Sequence, residues 1–135
     1  MILPPYARLL GATIERDDGH AQGNGTPVLA MPFGADVIGR PAFVHGGALA
    51  GLLELAAITA IQQALAKEGR PAATFKPINV TVDFMRGARE KVTRAQGHVA
   101  RLGSRVANVE AFAWQDDRDR LVASARINFL ISEPA

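Results

Sequence analysis

Between Ala48 and Ile61 the chain is apolar or small at nearly every position and carries a single ionisable residue, Glu54; His45-Gly46-Gly47 opens the run. From Gly46 to about Lys67 there is no proline, and Ala, Leu, Ile and Gln dominate up to a stop at Gly69-Arg70-Pro71. The spacing predicts a helix of about six turns. Apolar on nearly every side through Ile61, such a helix is buried rather than laid on a surface. A carboxylate among Leu52, Leu53, Leu55 and Ala56 must then be desolvated, paired or used, because burying a lone charge is costly. The competing reading of Glu54 is an ion pair with an arginine.

The second half of the chain changes period. Ile78, Val80, Val82 and Phe84 alternate with Asn79, Thr81, Asp83 and Met85, and segments Val92 to Leu102, Arg105 to Trp114 and Leu121 to Leu130 follow at short intervals. In the last, Leu121, Ala123, Ala125, Ile127 and Phe129 share one face. The breaks at Arg86-Gly87, Gly103-Ser104 and Asp116 to Asp119 are short, so consecutive strands are expected to pair antiparallel. Before the helix, Pro4 to Leu10 reads as a helical turn. Ala12 to Ala21 and Thr26 to Phe33 read as extended segments around Gly23-Asn24-Gly25, and Gly34 to Val44 as a loop. Residues 1–135 thus form one α+β domain, with a mostly antiparallel sheet of five or six strands wrapped on a long central helix.

Several function classes fall away on composition. There is no cysteine, hence no disulfide, thiolate metal ligand or cysteine nucleophile. A net charge of +2, scattered along the chain, does not argue for nucleic acid and is compatible with an anionic small molecule. The apolar run is interrupted by Glu54 and falls below the ~18 residues of a membrane span. Met1-Ile2-Leu3 runs at once into Pro4-Pro5, unlike a signal peptide. A soluble cytoplasmic protein without a membrane partner is expected.

Val44-His45-Gly46-Gly47-Ala48-Leu49-Ala50, Glu54, the segment ending in Arg86-Gly87-Ala88 and the closing Leu121-Val122-Ala123-Ser124-Ala125 together resemble the hotdog-fold acyl-CoA thioesterases. Within that fold they are most similar to the phenylacetate-degradation branch. The pattern HGG-x6-E is the most specific part. The resemblance implies hydrolysis of an acyl-CoA to free acid and CoA, with no cofactor, since coenzyme A is part of the substrate. It also implies a homodimer with two shared sites, often doubled to a homotetramer. Arg86 and Arg89, and the turn Gly103-Ser104-Arg105, are the positions it favours for the phosphates of CoA. An apolar tunnel beside Leu53 and Ala57 would take the acyl group.

The residues support this chemistry in their own right. Gly46 and Gly47, at a helix N-terminus, offer backbone amides that can polarise a thioester carbonyl and hold an oxyanion. Glu54 supplies a general base for water or a direct nucleophile. A thiol leaves readily as thiolate, so no strong general acid is needed. His45 caps the helix or orders the loop, and the resemblance gives it a supporting place in the site. Thr59 reads as a core residue bonding its own backbone, and His20 and His98 as surface residues. Eight residues separate Gly46 from Glu54, about 12 Å along one helix axis. A glutamate side chain cannot close that gap, so amide and carboxylate acting on one substrate come from two chains packed across a two-fold axis.

Two positions depart from the family pattern. Gly39 stands where the resembling enzymes carry a substrate-positioning Asn or Gln. Lys76-Pro77 stands where they place a Ser or Thr, with Thr74 the nearest hydroxyl. Arg40 and Asn79 are polar groups able to substitute. Two other classes stay open: a non-catalytic acyl-CoA binder or sensor, and a hotdog hydratase or dehydratase. The latter lacks its usual loop signatures here, and Asp36 lies nine residues before His45.

Overall fold

A computed structural model of the chain describes residues 3–15 and 25–135. His20, most of the Ala12 to Ala21 segment and Gly23-Asn24 lie outside the described residues. The elements are α1 (Tyr6–Leu10), β1 (Thr13–Glu15), β2 (Val28–Met31), a 3-10 turn (Ala35–Val37), α2 (Gly46–Lys67), β3 (Thr74–Phe84), β4 (Thr93–Leu102), β5 (Val106–Trp114) and β6 (Ala123–Ser132).

Helix α2 has 22 residues and is stopped by Gly69 in the left-handed region (φ 73°), where Arg70 N–H donates to Leu65 O at 2.8 Å. By length and composition it passes as a membrane span, beyond the shorter run read from sequence. Its place in the fold is that of the core helix. Leu49, Leu52, Leu53, Ala56, Ala57, Ala60 and Ile61 are buried in one apolar core with Ala95, Ala107, Ala111, Ala113, Ala123 and Ala125 of the sheet. Where α2 crosses β4 the residues on both sides are small, and the helix comes close to the sheet. At Gly97 of β4 a Cβ would lie 2.4 Å from Ala56 O, leaving no space for any larger residue. Each fully buried leucine contributes about 1.5–3 kcal/mol.

The six strands form one antiparallel sheet in the order β1-β2-β4-β5-β6-β3. Strands β4, β5 and β6 pair consecutively as their short turns require. Strands β3 and β4 do not: β3 pairs with β6, and β4 lies between β2 and β5. The 85–92 link is a crossover rather than a hairpin. It passes the start of α2, where Val44 N–H donates to Ala88 O at 2.9 Å. β3 also begins at Thr74, four residues before Ile78, and absorbs Pro77 through a register shift between Pro77 and Asn79. Proline is tolerated there because β3 is an edge strand.

The alternation along β6 buries the expected face, Ala123, Ala125, Ile127 and Phe129. Along β3 the same period has a different outcome. Ile78 is 55% exposed, Val80 41% and Phe84 58%; Val82 packs partly against the core, and the rest of the apolar side of this edge strand has no cover among the described residues. Such an edge is a template for another strand.

Candidate active site

The segment before α2 is a short hairpin. Gly39 N–H donates to Phe43 O at 3.0 Å, His45 N–H to Val37 O at 2.7 Å, and Ile38 bridges Val44. Its tip, Arg40-Pro41-Ala42-Phe43, is closed by Phe43 N–H to Arg40 O at 3.0 Å and holds Ala42 at φ 71°. Proline followed by a left-handed residue is the type II pattern, which ordinarily favours glycine at the Ala42 position. The hairpin delivers His45 to the helix in extended conformation (φ −63°, ψ 136°), and its Nδ1 accepts from Gly47 N–H at 2.8 Å.

That cap separates the two glycines. The Gly47 amide is engaged by His45, whereas the Gly46 amide has no acceptor among the described residues. Gly46 lines an open cleft of about 530 Å³ whose walls are Val44, Leu49, Phe43 and Phe84, with Arg40 and Arg86 among the lining residues; Gly47 does not line it. Of the two glycine amides, His45 engages that of Gly47 and leaves that of Gly46 without an acceptor among the described residues.

Glu54, two turns further along α2, is half-buried and has no hydrogen bond or ion pair among the described residues. It is absent from the lining of the Gly46 cleft. The competing reading of Glu54, an ion pair with an arginine, finds no partner among the described residues. Leu53 and Ala57, assigned to an acyl tunnel, are 0% exposed and belong to the core. They do not line the Gly46 cleft; Leu49, Val44 and Phe84 are among the apolar groups that it presents.

Gly39 lines the cleft without offering a side chain. A Cβ there would lie 2.9 Å from His45 Cα, so this backbone has no space for an Asn or Gln. Asn79 does not substitute, because its Oδ1 accepts from Asn128 Nδ2 at 2.9 Å in an amide ladder that continues to Asn108. Thr59 is fully buried and its hydroxyl donates to Ala56 O at 2.8 Å; His98 is exposed.

The two sets of residues favoured for CoA phosphates stand at opposite ends of the molecule. Arg86 and Arg89 flank the cleft: Arg86 Nε donates to Leu121 O at 3.0 Å, and the Arg89 guanidinium carbon sits 4.4 Å from the Phe43 ring centroid. Gly103, Ser104 and Arg105 form the β4–β5 turn, beyond the nine residues of β5, about 30 Å away at the usual strand rise. The carbonyls of Gly103 and Ser104 accept from Arg70 at 3.1 and 2.9 Å. The hydrogen bond from Arg70 to Glu133 pushes that guanidinium further up from its ordinary value, and the turn is a braced piece of structure. Within one chain the two sets cannot hold one CoA.

The sequence carried no sign of Gln115. It is 8% exposed, accepts from Arg89 N–H at 2.9 Å, and donates to Arg89 O and Thr93 Oγ1 at 3.0 and 3.2 Å. It thereby shapes the loop that carries Arg89. Beside it, Arg86, Arg89, Lys91 and Arg120 line a second, smaller cleft with Asp116 and Asp117. Phe43, an aromatic residue in a loop, was the one available signal. Among the described residues no three His, Asp or Glu side chains gather as a metal would require.

Residues 42–122 match the model of the thioesterase superfamily. A solved protein of that superfamily is 30% identical, with 96% of this chain and 90% of that chain covered and a TM-score of 0.77. A phenylacetic acid degradation-related protein from Ralstonia eutropha JMP134 is 24% identical over 96% of this chain and 92% of its own, with a TM-score of 0.76. A Bacillus halodurans protein solved with CoA is 19% identical over 96% and 80%, with a TM-score of 0.76, and shares the fold. No curated protein sequence matches the chain. The chain belongs to the thioesterase superfamily and has its hotdog fold, which places its chemistry in the class of thioester hydrolysis.

Proposed function

We propose that the protein hydrolyses acyl-CoA thioesters at two sites shared across a homodimer. The observation that carries this reading is the division along α2: Gly46, whose amide has no acceptor among the described residues, lines a cleft, while Glu54 on the same helix has no ion pair among the described residues and does not line that cleft. Two copies packed with their α2 helices antiparallel bring the partner's Glu54 to Gly46. The exposed apolar edge of β3 supports the same assembly, since a second copy would cover Ile78, Val80 and Phe84. The CoA held by the Bacillus halodurans neighbour supports CoA as the thiol half of the substrate.

In this reading the thioester carbonyl oxygen accepts from Gly46 N–H. Glu54 of the partner subunit takes a proton from water as the water oxygen bonds to the carbonyl carbon. The Gly46 amide stabilises the resulting oxyanion. Collapse breaks the C–S bond and releases CoA as thiolate, with the free acid as the other product. The alternative route, attack by the carboxylate itself through an anhydride, uses the same groups. A single turnover in ¹⁸O-labelled water separates the two: the general-base route puts one ¹⁸O in the first acid formed, whereas an anhydride opened at the Glu54 carbonyl releases a first acid without label and leaves the ¹⁸O in Glu54.

The test is release of free CoA from short, medium, long-chain and aryl acyl-CoAs. Glu54→Ala is expected to lower turnover by about 10²–10⁴-fold. Unchanged turnover would remove Glu54 from the mechanism. Binding without turnover of every thioester would make the protein an acyl-CoA binder. Mixing Glu54→Ala chains with chains disrupted at Gly46 should restore one intact site per mixed dimer, and sedimentation separates dimer from tetramer.

A further inference from the structure

Two arginines beside the Gly46 cleft share one aromatic ring. The guanidinium carbons of Arg40 and Arg89 lie 4.0 and 4.4 Å from the Phe43 centroid, and neither enters an ion pair among the described residues. Phe43 is a fixed platform, because Gly87 passes so close that a Cβ there would lie 2.5 Å from the ring. The cations around it are not equivalent. Arg86 has Nε committed to Leu121 O. Arg89 lines the smaller cleft, where Asp116 and Asp117 stand nearby. Arg40 lines the same cleft as Gly46, and its side chain makes no hydrogen bond among the described residues. Five guanidinium donors thus belong to the lining of the cleft that Gly46 shares, with no carboxylate paired to them among the described residues.

Glu54, half-buried on α2, has no ion pair among the described residues. For two antiparallel α2 helices to set Gly46 against the partner's Glu54, the two-fold axis must pass midway between those positions, at Ala50. Gly47 and Ala50 are small and permit a close approach. The arriving carboxylate then enters the cleft that Arg40 lines.

We propose that Arg40 pairs with Glu54 of the partner subunit and acts as the positioning residue of the catalytic carboxylate. This rests on the shared-site reading given under Proposed function. An arginine fork engages one carboxylate oxygen with fixed geometry, leaves the other for water, and keeps the group ionised as the interface removes solvent. It also gives the cleft a polar group that position 39, with no space for a side chain, does not supply. The other ionisable groups lining this cleft are His45 and Arg86.

A double-mutant cycle on the dimer dissociation constant tests the pair without reference to turnover. Arg40→Gln and Glu54→Gln are each expected to weaken the dimer by about tenfold, with the double variant no weaker than either single one. Additive losses would overturn the pairing. Recovery of the dimer by the charge-swapped Arg40→Glu/Glu54→Arg chain would support it. In the hydrolysis assay Arg40→Gln should lower kcat and move the acidic limb of the rate profile to higher pH, with partial recovery in Arg40→Lys. A rise in KM alone, with kcat and the acidic limb unchanged, would make Arg40 a phosphate contact and overturn the positioning role. Turnover that survives Glu54→Gln would sink the proposed mechanism, and the dimer cycle would still decide the pair.

Discussion

The two ends of helix α2 use arginine in opposite ways. Beyond its C-terminus, Arg70 is saturated: Nε meets Glu133 at 2.6 Å, and its other nitrogens reach Gly103 O and Ser104 O at 3.1 and 2.9 Å. At its N-terminus, Arg40 and Arg89 lie over Phe43 with no carboxylate among the described residues. A saturated guanidinium ties two segments of the same chain together. One left with free donors in a cleft is available to something outside the chain. In the proposed reading the first end is structural and the second functional, although both looked alike as arginines in or near turns.

That contrast can be broken most severely at Gly46. Gly46→Pro deletes the amide hydrogen at the first helical position, where proline is accepted, and His45 already holds the extended conformation that a residue before proline prefers. Turnover should fall by about 10²–10³-fold with the helix intact by circular dichroism. Gly46→Ala, which keeps the amide, is the control; an equal loss in both would mean that bulk against Phe84 matters and the hydrogen does not. A smaller effect is expected from the arginines. Arg86→Ala and Arg89→Ala should each raise KM for acyl-CoA by about 3–10-fold, while Arg105→Ala leaves it unchanged. If Arg105→Ala behaves like the other two, the far turn belongs to the partner's site.

At the opposite end, Arg70→Ala should lower the melting temperature by a few degrees and leave kcat and KM alone. Its pH behaviour follows from the direction of its shift. A guanidinium pushed upward holds its stabilising charge below its ordinary value and loses it only as pH rises through the higher folded value. Loss of the Arg70 proton therefore changes nothing at neutral pH. The smallest change is Ala42→Gly, which relieves a left-handed alanine and should stabilise the fold by about 0.5–1 kcal/mol in a denaturant titration.

Much of this was legible in the chain. The long apolar helix, its stop at Gly69 and the buried face of β6 all follow from periodicity and local propensity. The crossover at 85–92 was not legible, because a short polar link looks the same whether its flanking strands pair or lie apart. Nor was the burial of Leu53 and Ala57: an all-apolar helix does not announce which flank meets its own sheet. Gln115 escaped notice because a lone glutamine beside a turn carries no pattern.

The sequence by itself determined a helix bearing one carboxylate eight residues from a paired-glycine start, since helix rise and side-chain reach are local quantities. From those alone came the expectation that an amide and a carboxylate acting on one substrate come from two chains. Only the tertiary structure decided that His45 occupies the Gly47 amide and leaves Gly46 open, that position 39 has no space for a side chain, and that Arg40 and Arg89 meet over Phe43. Those outcomes depend on how loops remote in sequence pack around the helix start, and packing is a property of the whole fold.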